Sequence, residues 1–470
     1  MSKLIQFRPA LATAAAGAAL AGAVTVAGLA AAGAAAAATS TGHPHAAAVP
    51  ASHPAWHSYR RRGEGHDPLS ATFSNWPMFR AGPTHYGVSA ETAISTSTAH
   101  SLTARWTAPL GTPSFTSPAV ATVAALGRAL VYAGGNNHLY AYPAGGGSPV
   151  WTFKVASGVV ETSPAVYGGV VYAGTTAGTL YAVNAATGAL MCSFSTGAPI
   201  LASPVVTNAA DGSGPVVYDG TIPGGAPGAE WAVYGPGNRH GGCAKDWEFT
   251  GFAVSPGGSW SPPAYGTGAN GVPLVVFGSK DRDDSVYALN ARTGALVWRY
   301  RTSAEKDADV GAPPTISPPG RNGFAGGVVY VTAKDKVTYA LNLTTGTLIW
   351  KHPLAVGTNG DLSGTALVGG RVYVGSDTGV YALSAVTGTQ IWHVLPAATF
   401  FASPAVTGPS GRQVLLIGDT TGHLYALNLA TGATVWTQQP STRGFWGSPA
   451  VSQGAFYVAG LDGVLRSYAP

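Results

Sequence analysis

Three features of the sequence predict an all-β chain closed into an eight-bladed β-propeller of four-stranded antiparallel blades. The first is a phrase that recurs nearly unchanged: LNARTGALVW at 289–298, LNLTTGTLIW at 341–350, LSAVTGTQIW at 383–392 and LNLATGATVW at 427–436. The second is its spacing. The closing aromatic falls at Trp106, Trp151, Trp247, Trp298, Trp350, Trp392 and Trp436, with Cys192 in the remaining slot, at intervals of 41 to 55 residues. Such a period holds about four strands with their turns, and four-stranded units repeated radially make a propeller. The third is a mismatch at the ends. The last unit stops at Pro470 without an outer strand, and the lone strand SLTARWTA (101–108) has no hairpin before it. Joining the two closes the ring and removes the edges an open array would expose.

Residues 1–38 read as an export signal. Lys3 and Arg8 precede an Ala/Gly/Leu/Val run, and A-x-A cleavage sites fall near Ala36–Ala38. Ala-rich runs are only weakly apolar, so cleavage is expected and no stable transmembrane segment after it. The expected location is secreted, extracellular or cell-wall associated. Residues 39–72 are rich in Ala, Pro, Ser and His and lack apolar periodicity, as a disordered linker does. Their histidines are irregularly spaced beside no cysteine or carboxylate cluster, so a tether is favoured over a metal site.

From residue 73 to 470 the chain is one propeller. Each unit opens on a small-residue phrase, SPAV at 117–120, 163–166, 403–406 and 448–451, with looser versions SPVV (203–206), SPPA (261–264), APPT (312–315) and SGTA (363–366). A β-branched and aromatic hairpin follows, such as VVYAGTTAGTLYAV (170–183), its two alternating strands joined by Gly and Thr turn residues. The turn-and-strand phrase then ends the unit. Only 10% of residues are charged, and Gly (65) and Pro (34) are abundant, which suits strand and turn. The net charge of +5 is spread out, so no nucleic-acid partner is expected. Two cysteines in an exported chain suggest one disulfide.

The pattern A-x-N-x-x-T-G-x-x-x-W, as in Ala288 to Trp298 and Ala426 to Trp436, resembles the repeat of quinoprotein-type propellers, the PQQ (pyrroloquinoline quinone) repeat. NWPMFRAGPTHYGVS (75–89) resembles that family's lead-in, and the Ala/Gly-rich signal resembles those of high-GC actinobacteria. The resemblance implies a fold shared by quinone-dependent alcohol and sugar dehydrogenases, an outer-membrane assembly scaffold and many secreted proteins of unknown role. It also implies that each repeat Trp packs on the Thr-Gly turn of the next blade. Cys192 stands in the Trp slot of the second blade, and Cys243 stands four before Trp247, in the turn-Gly slot of the third. A Cys192–Cys243 bond in place of a Trp-on-Gly contact follows from that pattern; two separate buried thiols are the alternative.

Propeller sites lie at the mouth of the central channel. Taking the innermost strand to end in the SPAV phrase, the residues two before its serine are Phe115, Glu161, Leu201, Ser259, Val310, Asp361, Phe401 and Trp446. Strand alternation puts them on one side, with Asn359 behind Asp361 and with Asp309 turned away. Glu161, Asn359, Asp361 and Asp309 are the candidate oxygen ligands for a Ca²⁺–quinone centre, with Arg443 beside the quinone. Against that centre stand the missing Cys-Cys pair of the quinone-dependent alcohol dehydrogenases and the lack of a C-x-x-C-H haem motif. Glu161 and Asp361 also fall four blades apart. KDRDDS (280–285) lacks the pattern of a Ca²⁺ loop and is expected to be a solvated turn. The expected function is a monomeric, non-catalytic binding or scaffolding module without cofactor, for a protein or cell-envelope ligand. A dehydrogenase using pyrroloquinoline quinone and Ca²⁺ is the alternative.

Overall fold

A computed structural model describes residues 75–111, 113–303, 308–355, 363–394 and 398–470. The expected signal and linker lie outside them. The described strands form eight four-stranded sheets. Seven are consecutive meanders. In the eighth, Thr103–Pro109 pairs antiparallel with Val464–Ala469, from Thr103↔Ala469 to Pro109↔Val464. The N-terminal strand therefore supplies the outer strand of the last blade. Numbering follows the chain: the blade of Ala119–Lys154 is the first, and the blade of Ala450–Ala469 with Thr103–Pro109 is the eighth.

Burial follows position in the blade. The second strand of blade two, VVYAG at Val170–Gly174, is buried at every residue, whereas its outer strand LMCSFS at Leu190–Ser195 is exposed at Leu190, Met191, Ser193 and Ser195. Inner strands carry neighbouring blades on both faces and so read as continuous apolar runs; the rim meets solvent and alternates.

Adjacent blades are joined by the repeat tryptophan. The indole N–H of Trp151 donates to the Ala185 carbonyl at 2.9 Å, and that of Trp298 to Leu343 at 2.9 Å. The ring lies on a turn glycine: a Cβ on Gly188 (φ +70°) would sit 2.7 Å from Trp151. Only glycine both accepts this φ and leaves room for the indole. Between blades two and three the contact is a disulfide, Cys192–Cys243, with Cα atoms 5.9 Å apart. Cys243 holds the left-handed turn conformation, φ 53°. Its amide donates to the Tyr234 carbonyl as that of Gly188 does to Asn184. The connection after Tyr234 has ten residues, 235–244, where blade two has five, 185–189.

A second stitch runs nearer the axis. The Ser117 amide donates to Ser163 Oγ at 2.9 Å and Ser163 to Ser203 Oγ at 3.0 Å. Gly364 donates to Ser403, Ser403 to Ser448 and Ser448 to Ser117, at 2.8–2.9 Å. The serine of SPAV is thus a blade-to-blade link. It opens the innermost strand rather than ending it, since that strand begins at the alanine (Ala165–Tyr167 in blade two).

Residues 75–89 have no counterpart in the repeats and fill one end of the channel. Trp76 exchanges backbone hydrogen bonds with Val120, at 2.8 and 2.7 Å. The amides of Val166, Tyr265, Ile316, Leu367 and Val406 donate to the carbonyls of Pro77, Pro83, Thr84, Tyr86 and Gly87. Met78 packs in the core cluster that holds Val206, and Ser89 Oγ donates to the Val451 carbonyl. Each residue hydrogen-bonded is the second of an inner strand, and seven blades are represented. Inner strands are sheet edges, and the segment occupies their unpaired groups. At its centre the buried Arg80 guanidinium donates to the carbonyls of His85, Pro404 and Thr365. Burial lowers its pKa to about 9. Burial, and then Arg80, hold His85 down to about 3.

Candidate functional site at the channel mouth

The opposite end of the channel is where each chain crossing enters the next inner strand. Strand pairing fixes its register. Ala165 pairs with Tyr172, two residues before Gly174; the equivalent pairs are Ala264↔Val276, Thr315↔Tyr330 and Ala366↔Tyr373. The serine position two residues earlier is therefore Pro262, Pro313 and Gly364 in blades four, five and six. Ser261, Ala312 and Ser363, which the phrases suggested, are each one residue too early. Ser259 and Val310 are accordingly not mouth residues but are fully buried. Trp260 and Gly311 take their places. The segment is also not a strand, so alternation does not orient it.

The described mouth is mostly apolar. Phe115, Leu201, Trp260, Phe401 and Trp446 are half-buried around it. Trp446 meets Phe115 edge-on at 5.4 Å and Phe401 at 4.8 Å, joining blades seven, eight and one. Trp260 carries Lys334 Nζ 5.5 Å from its ring centre. Glu161 is the one carboxylate among the described residues at this position; burial raises its pKa. Arg443 is exposed, three residues before Trp446. Asn359 and Asp361 lie outside the described residues.

Asp309 lies two residues before Gly311, on the crossing into blade five. It is buried and paired with Lys334 at 2.9 Å. Around it the acids of KDRDDS are not the solvated turn expected. Asp283 and Asp284 are buried because the hairpin folds inward against the crossing that leads to blade five. Asp283 accepts from the Tyr287 hydroxyl at 2.6 Å and the Ala253 amide at 3.2 Å. Asp284 lies with Asp281 and Asp309; burial, then Asp281 and Asp309, raise its pKa to about 6. Spacing does not report these burials, because they depend on packing between blades.

Blade three holds two further buried acids that the sequence reading missed. Pairing places Glu230 opposite Gly220, where blade two has Leu180 opposite Gly174, and Asp219 where blade two has Ala173. Neither Glu230 oxygen accepts a hydrogen bond, nor does Asp219 Oδ2. Their signal in the sequence was an acid in each apolar slot of one hairpin.

Eight blades, inter-blade Trp-on-Gly docking and a sealed channel describe the architecture; the sequence profile of one family decides the kinship. The profile described as outer membrane protein assembly factor BamB, a PQQ-repeat family, matches residues 94–226, 282–406 and 377–469. The chain belongs to this family. Among curated relatives of the PQQ-repeat propeller, the outer membrane protein assembly factor BamB of Salmonella typhimurium is 26% identical over 214 residues, 44% of this chain and 48% of that protein. The chain thus spans about half the length of such a relative. Solved structures share the fold at lower identity. A europium-containing methanol dehydrogenase matches with TM-score 0.70 at 14% identity, over 86% of this chain and 99% of that one. BamB from Moraxella catarrhalis matches with TM-score 0.58 at 19% identity, over 78% and 100%. Assembly factors and dehydrogenases therefore both share the architecture, and fold does not choose between their functions.

Proposed function

We propose that this PQQ-repeat propeller is a non-catalytic binding or scaffolding module working in the cell envelope or the medium, with the channel mouth as its docking face. The observation that carries this reading is the mouth itself. Phe115, Phe401 and Trp446 form a continuous aromatic contact across three blades, and Leu201 and Trp260 extend the apolar lining. Aromatic anchors on a rigid frame suit protein or ligand docking. Residues 75–89 close the other end, so a ligand approaches from the mouth. The disulfide suits an oxidising compartment, and the assembly-factor relatives support an envelope setting. Among the described residues no helix is long and apolar enough to cross a membrane.

Reconstitution tests the reading. Secreted protein given excess pyrroloquinoline quinone and Ca²⁺ is expected to take up no stoichiometric chromophore and to reduce no artificial acceptor with alcohols or aldoses. A dehydrogenase needs its cofactor held and electronically tuned by several groups at once. Quinone-dependent turnover that disappears in Glu161→Ala or Asp361→Ala would overturn the binding-module reading.

A further inference from the structure

We propose that Asp281, Asp284 and Asp309 form a Ca²⁺ site at the rim of the mouth, between blades four and five. The three come from different parts of the chain. Asp281 and Asp284 lie on the hairpin joining Pro273–Gly278 to Ser285–Asn290, and Asp309 lies on the crossing into blade five. Folding brings one carboxylate oxygen of each within 4.8 Å of the others.

Asp284 is the second observation. It is fully buried, and among the described residues neither of its carboxylate oxygens has a hydrogen-bond donor. Its backbone is fixed: its amide donates to the Lys280 carbonyl, and its carbonyl accepts from the amide and hydroxyl of Thr302. Removing a carboxylate from water without a partner costs several kcal/mol. Two other buried hairpin acids reduce that cost. Asp419 in blade seven accepts from the Thr421 and His423 amides and the Tyr425 hydroxyl. Asp283 accepts from Tyr287 and Ala253. Asp284 instead faces two carboxylates. Lys334 pairs with Asp309 at 2.9 Å and leaves Asp284 without a contact of its own among the described residues. Arg301 is felt by Asp284 from an exposed position. A divalent cation supplies Asp284 with the partner it lacks among the described residues.

Carboxylates from three separate positions suit Ca²⁺, which takes six to eight oxygens in flexible geometry, better than Mg²⁺, which demands near-ideal octahedral geometry. Asp281 is partly exposed, which gives a route for the ion and a position for water ligands.

Equilibrium dialysis of the EDTA-treated full chain against CaCl₂, without quinone, tests the site. One Ca²⁺ per chain is expected below about 1 mM free ion, with Mg²⁺ at least about tenfold weaker. Asp284→Asn and the partly exposed Asp281→Asn are each expected to weaken binding at least about tenfold, as loss of a ligand does, whereas Glu161→Gln leaves it unchanged. Ca²⁺ is expected to raise the melting temperature of the parent chain but not of Asp281→Asn. No bound Ca²⁺ at about 1 mM, binding unchanged in both Asn variants, or equal affinity for Mg²⁺ would each overturn the assignment.

Discussion

Cys243 adopts a left-handed conformation that the repeat otherwise gives to glycine, as at Gly188. It keeps the turn and adds the Cβ that reaches Cys192. The chain-entropy model values a loop of 51 residues at about 4 kcal/mol. Cys192→Ser is therefore expected to lose about 2–5 kcal/mol in urea unfolding. The pair Cys192→Trp with Cys243→Gly should recover part of that loss and keep it under reducing conditions, because it restores the docking contact of the other blades. No recovery would mean that the ten-residue connection has moved the turn out of register for an indole. Glu230 presents the opposite case, a charge where the repeat has an apolar residue. Burial, and then Asp219, push its pKa well above 4.5. The folded state thus keeps its proton while the unfolded carboxyl ionises, so stability is lost as pH rises from about 4.5 toward the folded value. Glu230→Leu should flatten the dependence of melting temperature on pH there and raise it at pH 7. Parallel curves for the two proteins would refute this.

At the scale of elements, the decisive pieces are the two that do not repeat. Residues 75–89 hydrogen-bond the second residue of seven inner strands and bury Arg80 among the carbonyls of His85, Thr365 and Pro404. Thr103–Pro109 closes the ring. Their contributions separate by truncation. A chain starting at residue 92 is expected to stay a monomer of reduced stability, since the ring closure survives while the inner edges lose their partners. A chain starting at residue 110 also exposes the Val464–Ala469 edge and is expected to aggregate or dimerise on size exclusion, as unpaired edges do. Monomeric behaviour of the shorter chain would refute the closing role. The SPAV serine is a smaller device of the same kind. Where Pro262 and Pro313 replace it, the hydroxyl and the amide are both lost, and Ser261 Oγ donates to the Ala312 carbonyl instead, at 2.9 Å.

At the scale of the molecule, the sequence by itself determined the blade count and the closure, which are written in a period of local strand and turn residues. The Trp docking and the Cys192–Cys243 bond were implied by the resemblance to the PQQ-repeat family, with paired departures from the repeat marking the cysteines. Only the tertiary structure decided the register of the mouth in blades four to six. The phrases there contain prolines and a stray serine, and backbone pairing, not the similarity of the words, fixes which residue is equivalent. Packing alone made the acids of KDRDDS buried, brought Asp309 beside them, and turned the lead-in NWPMFRAGPTHYGVS into a seal hydrogen-bonded to seven blades. Those contacts join residues tens to hundreds apart. No periodicity reports them, because the free energy that sets them comes from neighbours that become neighbours only when the ring closes.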